Sequence, residues 1–237
     1  MAPLGLEVRR REHDFSDTRN FIPFHSTLQA AERAGLSIGD YIDSVLNKTP
    51  GATQATIDGM RALGVFARPV DSVVEIGSGS GRYVEKTIAA CAPKRYEIYE
   101  TSKVWADYVG SKYGVVVRPT DGKTLSSTSA GGTDLVQAHK VFSGIPSLPT
   151  WIYWTEMSRV CRKGGHVVFD ILTEACLDLG TLEKWVNSGI ENGAYPAAMP
   201  RSLALDYFSD RGFDIAGTFL VPMGLGRTTE VFVFRKG

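Results

Sequence analysis

Three glycines at alternate positions follow a hydrophobic stretch in the segment VVEIGSGSGRYVEK, residues 73–86. Gly77, Gly79 and Gly81 can form a tight turn that lets a ligand approach the backbone, and the start of the following helix favours negative charge. Such strand-to-helix turns bind nucleotide-like ligands. The dinucleotide fingerprint G-x-G-x-x-G requires a further glycine at position 82, which is Arg82. The spacing therefore disfavours a nicotinamide or flavin site.

An acid lies two residues before the first of these glycines, near the end of the hydrophobic strand. Burying the carboxylate of Glu75 is costly unless it is hydrogen-bonded or paired. It can receive an ammonium group, directly or through water, or it can be satisfied by backbone amides of the turn. S-Adenosylmethionine carries an amino-acid ammonium, whereas a pyrophosphate does not. The first alternative therefore points to S-adenosylmethionine as the ligand.

The stretch VEIGSGSGR resembles motif I of the class I S-adenosylmethionine-dependent methyltransferases, whose pattern is acid-x-G-x-G-x-G. The resemblance covers about residues 70–237 and implies that the turn contacts the cofactor. It also implies a ribose-binding acid at the end of the second strand and an adenine-binding acid or amide after the third. The cofactor-binding residues implied in this way are Glu75, Gly77, Ser78, Gly79, Gly81, Glu100, Thr101, Asp121 and Gly122.

Two of these positions have a second interpretation. Glu100 ends the strand RYEIYE and can accept hydrogen bonds from both ribose hydroxyls. It can equally act as a charge at the start of the helix that opens with ETSKVW. Asp121 and Gly122 follow the third strand, VVVRPTDG, but Asp-Gly is also a common turn pair. Both interpretations stay open at each position.

His139 is the predicted general base. Methyl transfer from a sulfonium is an in-line displacement in which the protein mainly aligns the acceptor, and a hydroxyl acceptor needs a base. His139 ends the fourth strand, in TDLVQAHKVF, and a histidine titrates near pH ~6.5. The alternative is a histidine that hydrogen-bonds the backbone around the cofactor. This strand exit does not carry the Asn/Asp-Pro-Pro-aromatic tetrad of many amino methyltransferases, which favours O-methylation.

A metal-assisted route is a second option. Some sugar and catechol O-methyltransferases use Mg²⁺ to bind two neighbouring oxygens of the acceptor. Asp170 ends the fifth strand and Glu174 follows one turn later, so both are predicted as ligands of Mg²⁺, which prefers oxygen donors. Binding of substrate hydroxyls or capping of a helix is the alternative role of this pair.

The class of acceptor is predicted from side chains in the region after the fifth strand and in the N-terminal helices. Trp185 and Tyr195 lie near amides and carboxylates, a composition that suits a sugar and fits an aromatic acceptor or another natural product nearly as well. His25 is a further candidate that could close over the site. Taken whole, the chain is similar to O-methyltransferases that act on sugars. In its length and in the general character of its sequence, the chain resembles the 1-O-methyltransferases of methylmannose polysaccharide assembly.

Strands and helices alternate from residue 70 onward, which predicts a Rossmann-like, doubly wound and mostly parallel sheet of seven strands. The last two strands, FDIAGTFLVP and TTEVFVFRK, are joined by a loop of about six residues, too short for a parallel crossover, so they must form an antiparallel hairpin. Residues 1–65 are predicted to be a polar tail and a helical cap. Residues 66–237 are predicted to be the cofactor-binding domain.

Composition narrows the class of protein further. Hydrophobic residues make up 43% of the 237 residues, enough for a core, and 26 basic residues balance 26 acidic ones. The neutral charge argues against a nucleic-acid partner. Three cysteines without a C-x-x-C pair argue against disulfides and a zinc site. With neither a long apolar run nor a signal core, we expect a soluble cytoplasmic protein, a monomer or a homodimer.

Two other functions fit the predicted fold. An NAD(P)-dependent oxidoreductase would need a glycine where Arg82 stands and a Tyr-x-x-x-Lys pair; YVEK, at residues 83–86, lies in the cofactor helix and cannot serve as that pair. A binding module that has lost its chemistry would have no need for motif I, Glu100 and Asp121 together. A methyltransferase acting on a small hydroxyl acceptor is therefore the leading interpretation.

Overall fold

A computed structural model of the chain describes residues 22–187, 197–224 and 226–237. These residues form a seven-stranded sheet with helices on both faces. The strands are β1 (Ser72–Ile76), β2 (Arg95–Tyr99), β3 (Val116–Val117), β4 (Thr133–Ala138), β5 (Cys161–Ile171), β6 (Phe213–Gly224) and β7 (Arg227–Lys236). The helices are α1 (Phe24–Arg33), α2 (Ile38–Tyr41), α3 (Ala52–Ala62), α4 (Arg82–Cys91), α5 (Lys103–Tyr113), α6 (Ser147–Val160), α7 (Leu179–Asn187) and α8 (Arg201–Ser209). A π-helical turn spans Ile42–Leu46 and a 3₁₀ turn spans Glu174–Cys176.

The strand order is β3-β2-β1-β4-β5-β7-β6. The first five strands of this order pair in parallel, and β7 pairs antiparallel with both β5 and β6. The chain order reverses between β1 and β4, which is the position where open α/β sheets bind their ligands, beyond the carboxyl ends of the strands. The predicted Rossmann-like sheet with an antiparallel C-terminal hairpin is confirmed.

Side chains alternate between two apolar layers, one on each face of the sheet. Val73 and its neighbours pack under α3 and α4, where Met60 and Val84 are fully buried. On the other face, aromatic rings from α6, α8 and the last strands fill the space. Phe208 stacks on Phe234 with ring centroids 4.4 Å apart, and Trp154 is fully buried beside them. Such pairs add about 0.5–1.5 kcal/mol beyond the area that they bury.

Two strands differ in length from the prediction. β3 contains only Val116 and Val117, both exposed at the sheet edge, and the last bond to β2 runs from the Arg118 N–H to the carbonyl of Ile98 at 2.9 Å. The final hairpin has a tighter connection than the predicted loop, since β6 ends at Gly224 and β7 begins at Arg227. Gly224 takes a φ of 94°, a conformation that favours glycine.

The N-terminal helices are attached to the sheet by specific contacts. Phe24 of α1 meets the ring of Trp105 on α5 edge-on at 4.8 Å, and the Trp105 indole N–H donates to the carbonyl of Ile22 at 3.0 Å. Asp43, in the π-helical turn, is buried and accepts from the Arg82 guanidinium at 2.7 Å. It also accepts from the backbone N–H of Thr53 at 2.8 Å. The cap is therefore joined to the first turn of the helix that follows the glycines.

No helix in the described parts of the chain is both long and apolar enough to cross a membrane.

Replacement of Asp43 should destabilise the folded chain. Asp43→Ala leaves the Arg82 guanidinium and the Thr53 donors unpaired in a buried place, so we expect the free energy of unfolding to fall by about 3 kcal/mol. The matched control is Asp58→Ala on α3, whose exposed pair with Arg61 contributes less than about 1 kcal/mol. Urea unfolding followed by circular dichroism measures both. Equal effects of the two changes would contradict the role of Asp43.

Candidate functional site

The glycine turn between β1 and α4 has the backbone that its sequence predicts. Gly77, Gly79 and Gly81 have φ values of 65°, 48° and 79°. A Cβ at Gly77 would lie 2.6 Å from Val141, and one at Gly81 would lie 2.8 Å from the Tyr113 ring. A Cβ at Gly79 would meet no atom within 4 Å. Close packing therefore explains the outer glycines, whereas the middle one borders open space that a ligand can enter.

Glu100 joins the end of β2 to this turn. Its Oε2 accepts from the N–H of Gly79 at 2.7 Å, and its Oε1 accepts from the N–H of Ser102 at 2.8 Å. Burial raises the pKa of Glu100, and the backbone donors of Ser102 and Gly79 oppose that rise. Each carboxylate oxygen has a second lone pair, so Glu100 can still accept hydrogen bonds from a ligand.

Two serine hydroxyls beside this bond are buried without a partner among the described residues. They are the Oγ atoms of Ser78, between the first two glycines, and of Ser102, at the start of α5. Buried polar groups are nearly always hydrogen-bonded to protein, water or ligand. The unsatisfied hydroxyls therefore make the space around the Glu100–Gly79 bond a candidate for a polar binding site.

The turn after β3 lies against the same region. A Cβ at Gly122, which has a φ of 72°, would lie 3.5 Å from the methyl of Thr101. Asp121 is exposed and accepts from the N–H groups of Lys123 at 2.9 Å and Thr124 at 2.7 Å. These donors lower the pKa of Asp121. The structure thus brings the residues of the predicted ribose and adenine positions together, with the Asp121 carboxylate bonded within its own turn.

Glu75 has partners inside the sheet layer. Its Oε2 accepts from the Tyr96 hydroxyl and from the Gln137 amide, the latter at 2.7 Å. Burial raises the pKa of Glu75 to about 7, and these two hydrogen bonds limit the rise. Neutral donors therefore satisfy this carboxyl group. The predicted contact with an ammonium has to compete with them or use a water.

His139 lies at the end of β4, and its ring is 4% exposed. The ring stacks on Tyr83 of α4 with centroids 4.3 Å apart, and neither ring nitrogen has a hydrogen-bond partner among the described residues. Burial lowers the pKa of His139 to about 4, although the nearby charge of Asp170 acts against this. His139 is therefore a neutral imidazole at pH 7, and both of its nitrogens are buried without a partner among the described residues.

Asp170 is neutralised by the residue that follows His139. Its Oδ1 accepts from the Lys140 N–H at 2.7 Å, and its Oδ2 lies 3.2 Å from the Lys140 ammonium, which also contacts Thr229. Burial alone would raise the pKa of Asp170, but the charge of Lys140 and the hydrogen bonds from Thr229 and the Lys140 N–H hold it below its ordinary value. Lys140 takes a φ of 60°, and this strained turn is held by its bonds to Asp170.

The predicted metal ligands are in different surroundings. Asp170 is buried and paired with Lys140, whereas Glu174 is exposed and accepts from the N–H of Arg201 at 3.0 Å at the start of α8. No group of three or more His, Cys, Asp or Glu side chains within residues 22–187, 197–224 and 226–237 could hold a metal ion. The structure therefore does not bring Asp170 and Glu174 into a common set of metal ligands.

The predicted acceptor-binding residues are spread over several elements. His25 is exposed on α1, where its ring meets Phe24 edge-on at 5.0 Å. Trp185 is buried on α7 in a small cluster with Leu172, and the Arg227 guanidinium lies 5.4 Å from its ring. Tyr195 lies outside the described residues. Of these three, the placement of Trp185 is that of a packing residue.

Three residues at the site were missed by the sequence analysis. Tyr83 covers one face of His139, Lys140 neutralises Asp170, and Asp43 holds the Arg82 side chain. The positive charge of Lys140, directly after His139, was a sequence signal for its pairing with Asp170, because that buried acid lies at the end of the neighbouring strand. Asp43 and Arg82 are far apart in sequence, and only the packing of the cap on α4 joins them.

Solved structures with this fold include several methyltransferases. The N-methyltransferase NodS from Bradyrhizobium japonicum WM9, in complex with S-adenosyl-L-homocysteine, is similar with a TM-score of 0.60 and 17% identity, over 89% of this chain and 98% of its own. Magnesium protoporphyrin IX methyltransferase (ChlM) from Synechocystis PCC 6803, with bound S-adenosylhomocysteine, gives 0.59 and 13%, over 78% and 82%. An O-methyltransferase family protein from Burkholderia thailandensis gives 0.59 and 16%, over 78% and 56%.

No protein-family model and no curated protein sequence matches the chain. The structural likeness shows that the chain has the Rossmann-like fold that these methyltransferases share. Identities this low establish the fold alone, because one fold hosts many functions.

Glu75 should make stability depend on pH in a specific direction. Its pKa is about 7 in the folded chain against an ordinary 4.5, so the unfolded chain loses this proton first and stability falls as pH rises through that window. Glu75→Gln keeps an oxygen acceptor and cannot ionise. We expect the free energy of unfolding of this variant to rise relative to that of the parent chain, by up to about 3 kcal/mol between pH ~4.5 and ~8. Each unit of pKa shift corresponds to about 1.4 kcal/mol.

Urea unfolding of both proteins at a series of pH values measures this difference. Glu32→Gln, at an exposed position on α1, is the control and should leave the pH dependence unchanged. A difference between Glu75→Gln and the parent chain that stays constant with pH would show that Glu75 does not titrate in this window.

Proposed function

We propose that the chain is a methyltransferase that uses S-adenosylmethionine and methylates a hydroxyl group of a small molecule. The observation that carries the proposal is the hydrogen bond from the Gly79 N–H to Glu100, because it unites the glycine turn and the acid at the end of β2 in one place. These are the two elements that hold an adenosyl ligand in the family that motif I resembles. The likeness in fold to NodS and ChlM agrees with this proposal.

The residues around this bond fit such a ligand. The open space at Gly79 admits the ligand to the backbone, and Glu100 has lone pairs for the ribose hydroxyls. The free hydroxyls of Ser78 and Ser102 provide further hydrogen bonds. Thr101 and Gly122 would border the adenine, since a Cβ added at Gly122 would lie 3.5 Å from the Thr101 methyl. S-Adenosylmethionine, when bound, supplies a methyl group that its sulfonium has already activated.

His139 is the proposed general base. It lies one strand away from the glycine turn, because β4 pairs directly with β1. Its nitrogens have no partner among the residues that the structure describes, and its pKa of about 4 keeps it neutral, so it can accept the proton of a hydroxyl acceptor. The imidazolium that forms would be stabilised by the carboxylate of Asp170, whose charge already acts on His139. Tyr83 fixes the ring plane by stacking.

A base-assisted reaction accounts for the surroundings of Asp170 better than a metal-assisted one does. Lys140 already neutralises the Asp170 carboxylate, and a Mg²⁺ ion at this position would have to displace the ammonium.

We propose a sugar or oligosaccharide as the acceptor. This rests on the sequence after Asp170, where aromatic, amide and carboxylate side chains follow one another, as in sites that bind polyhydroxylated ligands.

The proposal is tested by calorimetric titration of the purified chain with S-adenosylhomocysteine, with NADH titrated in parallel. We expect saturable binding of S-adenosylhomocysteine alone. Binding of NADH alone would assign the same fold to a nicotinamide enzyme, and binding of neither would overturn the assignment of the glycine turn.

Glu100→Gln should weaken binding of S-adenosylhomocysteine by about ten- to a hundredfold. The amide places a donor against the Gly79 N–H or loses an acceptor for the ligand, and hydrogen bonds to a charged group contribute about 1.5–3 kcal/mol. Glu97→Gln is the matched control, since Glu97 is a buried acid of β2 that pairs with Arg118 instead. Calorimetry on both variants decides the matter. Equal losses in the two would remove Glu100 from the ligand site.

His139→Ala should lower turnover by about a hundredfold while S-adenosylhomocysteine binding is kept, because only the proton acceptor is lost. In the parent chain, turnover should stay level from pH ~8 down to ~5.5, since a pKa of about 4 keeps His139 neutral over this range. Transfer of labelled methyl groups to a panel of sugars measures both. His166→Ala, on the middle of β5, is the control. A near-normal rate in His139→Ala would leave this histidine a structural role.

A further inference from the structure

A second cavity lies at the opposite end of the sheet from the glycine turn. It has a volume of about 260 Å³ and is enclosed by the segment 63–70, which leads into β1, and by the starts of β4 and β5. The ends of β6 and β7 that are nearest to these starts complete it, through Ala216 and Arg235. Because β1, β2, β4 and β5 are parallel, the amino ends around this cavity lie a full strand length away from the carboxyl ends of β2 and β4, which Glu100 and His139 follow.

The charges that line this cavity are mainly positive. Asp134 and Arg162 form an ion pair, so their charges cancel. Arg68 and Arg235 also line the cavity, and neither guanidinium has a hydrogen-bond or ion-pair partner among the described residues. Asp214 lies across from Arg235 on β6 but does not line the cavity. Two guanidinium groups therefore remain available to an anion that enters.

A histidine and an apolar wall complete the cavity. His166 of β5 is the cross-strand neighbour of Arg235, and burial and the charges of Arg235 and Arg162 lower its pKa. A neutral imidazole still donates one N–H, and an anion beside it would favour its protonation. The cavity also has an apolar wall, which is formed by Leu63 and the buried Val65 and Val70.

We propose that this cavity binds a small phosphate monoester with an apolar body, at a site separate from the proposed cofactor site. Guanidinium groups match the geometry of phosphate oxygens and bind them with two parallel hydrogen bonds. Two unpaired arginines suit a dianion better than a monoanion. The apolar wall gives the organic part of the ligand a surface to cover, which inorganic phosphate would leave exposed.

Phenyl phosphate is the probe, titrated into the full chain and followed by NMR of the histidine side chains. We expect saturable binding that shifts the His166 resonances, identified with His166→Asn, and leaves those of His139 in place. Phenol should not bind, and benzoate and inorganic phosphate should each bind at least about tenfold more weakly. Phenol lacks the charge of the ligand, benzoate lacks its second negative charge, and inorganic phosphate lacks its apolar body.

Arg68→Ala/Arg235→Ala should weaken phenyl phosphate binding at least about tenfold and leave S-adenosylhomocysteine binding unchanged. Arg33→Ala/Lys112→Ala removes the same charge from α1 and α5, whose residues do not line the cavity, and should bind as the parent chain does. Equal affinity of all three proteins would overturn the proposal. So would a shift at His139 without one at His166, since the anion would then occupy the glycine-turn site.

Discussion

The hydrogen bond between the Gly79 amide and the Glu100 carboxylate is the contact on which the candidate site depends. It joins the turn after β1 to the end of β2, and it requires a buried carboxylate directly beside a backbone donor. The bond is compatible only with a turn whose backbone approaches the next strand closely. The Gly77 N–H, which donates to the carbonyl of Tyr99 at 2.8 Å, shows that approach. The glycines and the acid are therefore one structural unit, although they lie on different elements.

Burial then decides the protonation state of each group around this unit. The carboxyl group of Glu75 is held by neutral donors and has a raised pKa, whereas Asp170 is held by an ammonium and has a lowered one. Neither nitrogen of His139 has a partner within the described part of the chain, and the ring stays neutral. One face of the sheet thus contains an acid whose pKa is about 7 (Glu75), an ionised acid (Asp170) and a neutral base (His139). Their different partners, rather than their residue types, separate their roles.

The two ends of the sheet differ in chemistry because parallel strands have polarity. The carboxyl ends present acids and free hydroxyls beside a glycine turn, which suits a ligand rich in hydroxyl and amine donors. The amino ends present Arg68 and Arg235 around a cavity with one apolar side, which suits an anion. The paired charges of Asp134 and Arg162 stabilise this second end without adding net charge to it.

The sequence by itself determined the fold class and the glycine turn, because alternating strand and helix patterns and glycine spacing are local signals. It also located Glu100, Asp121 and His139 at strand ends, since the carboxyl ends of parallel strands share one edge. Only the tertiary structure decided what those side chains contact. The pairing of Lys140 with Asp170, and the burial that makes His139 a neutral base, arise between elements far apart in the chain. Burial and pairing are properties of the packed molecule, so a local pattern such as the charge after His139 can indicate a pairing but does not decide it.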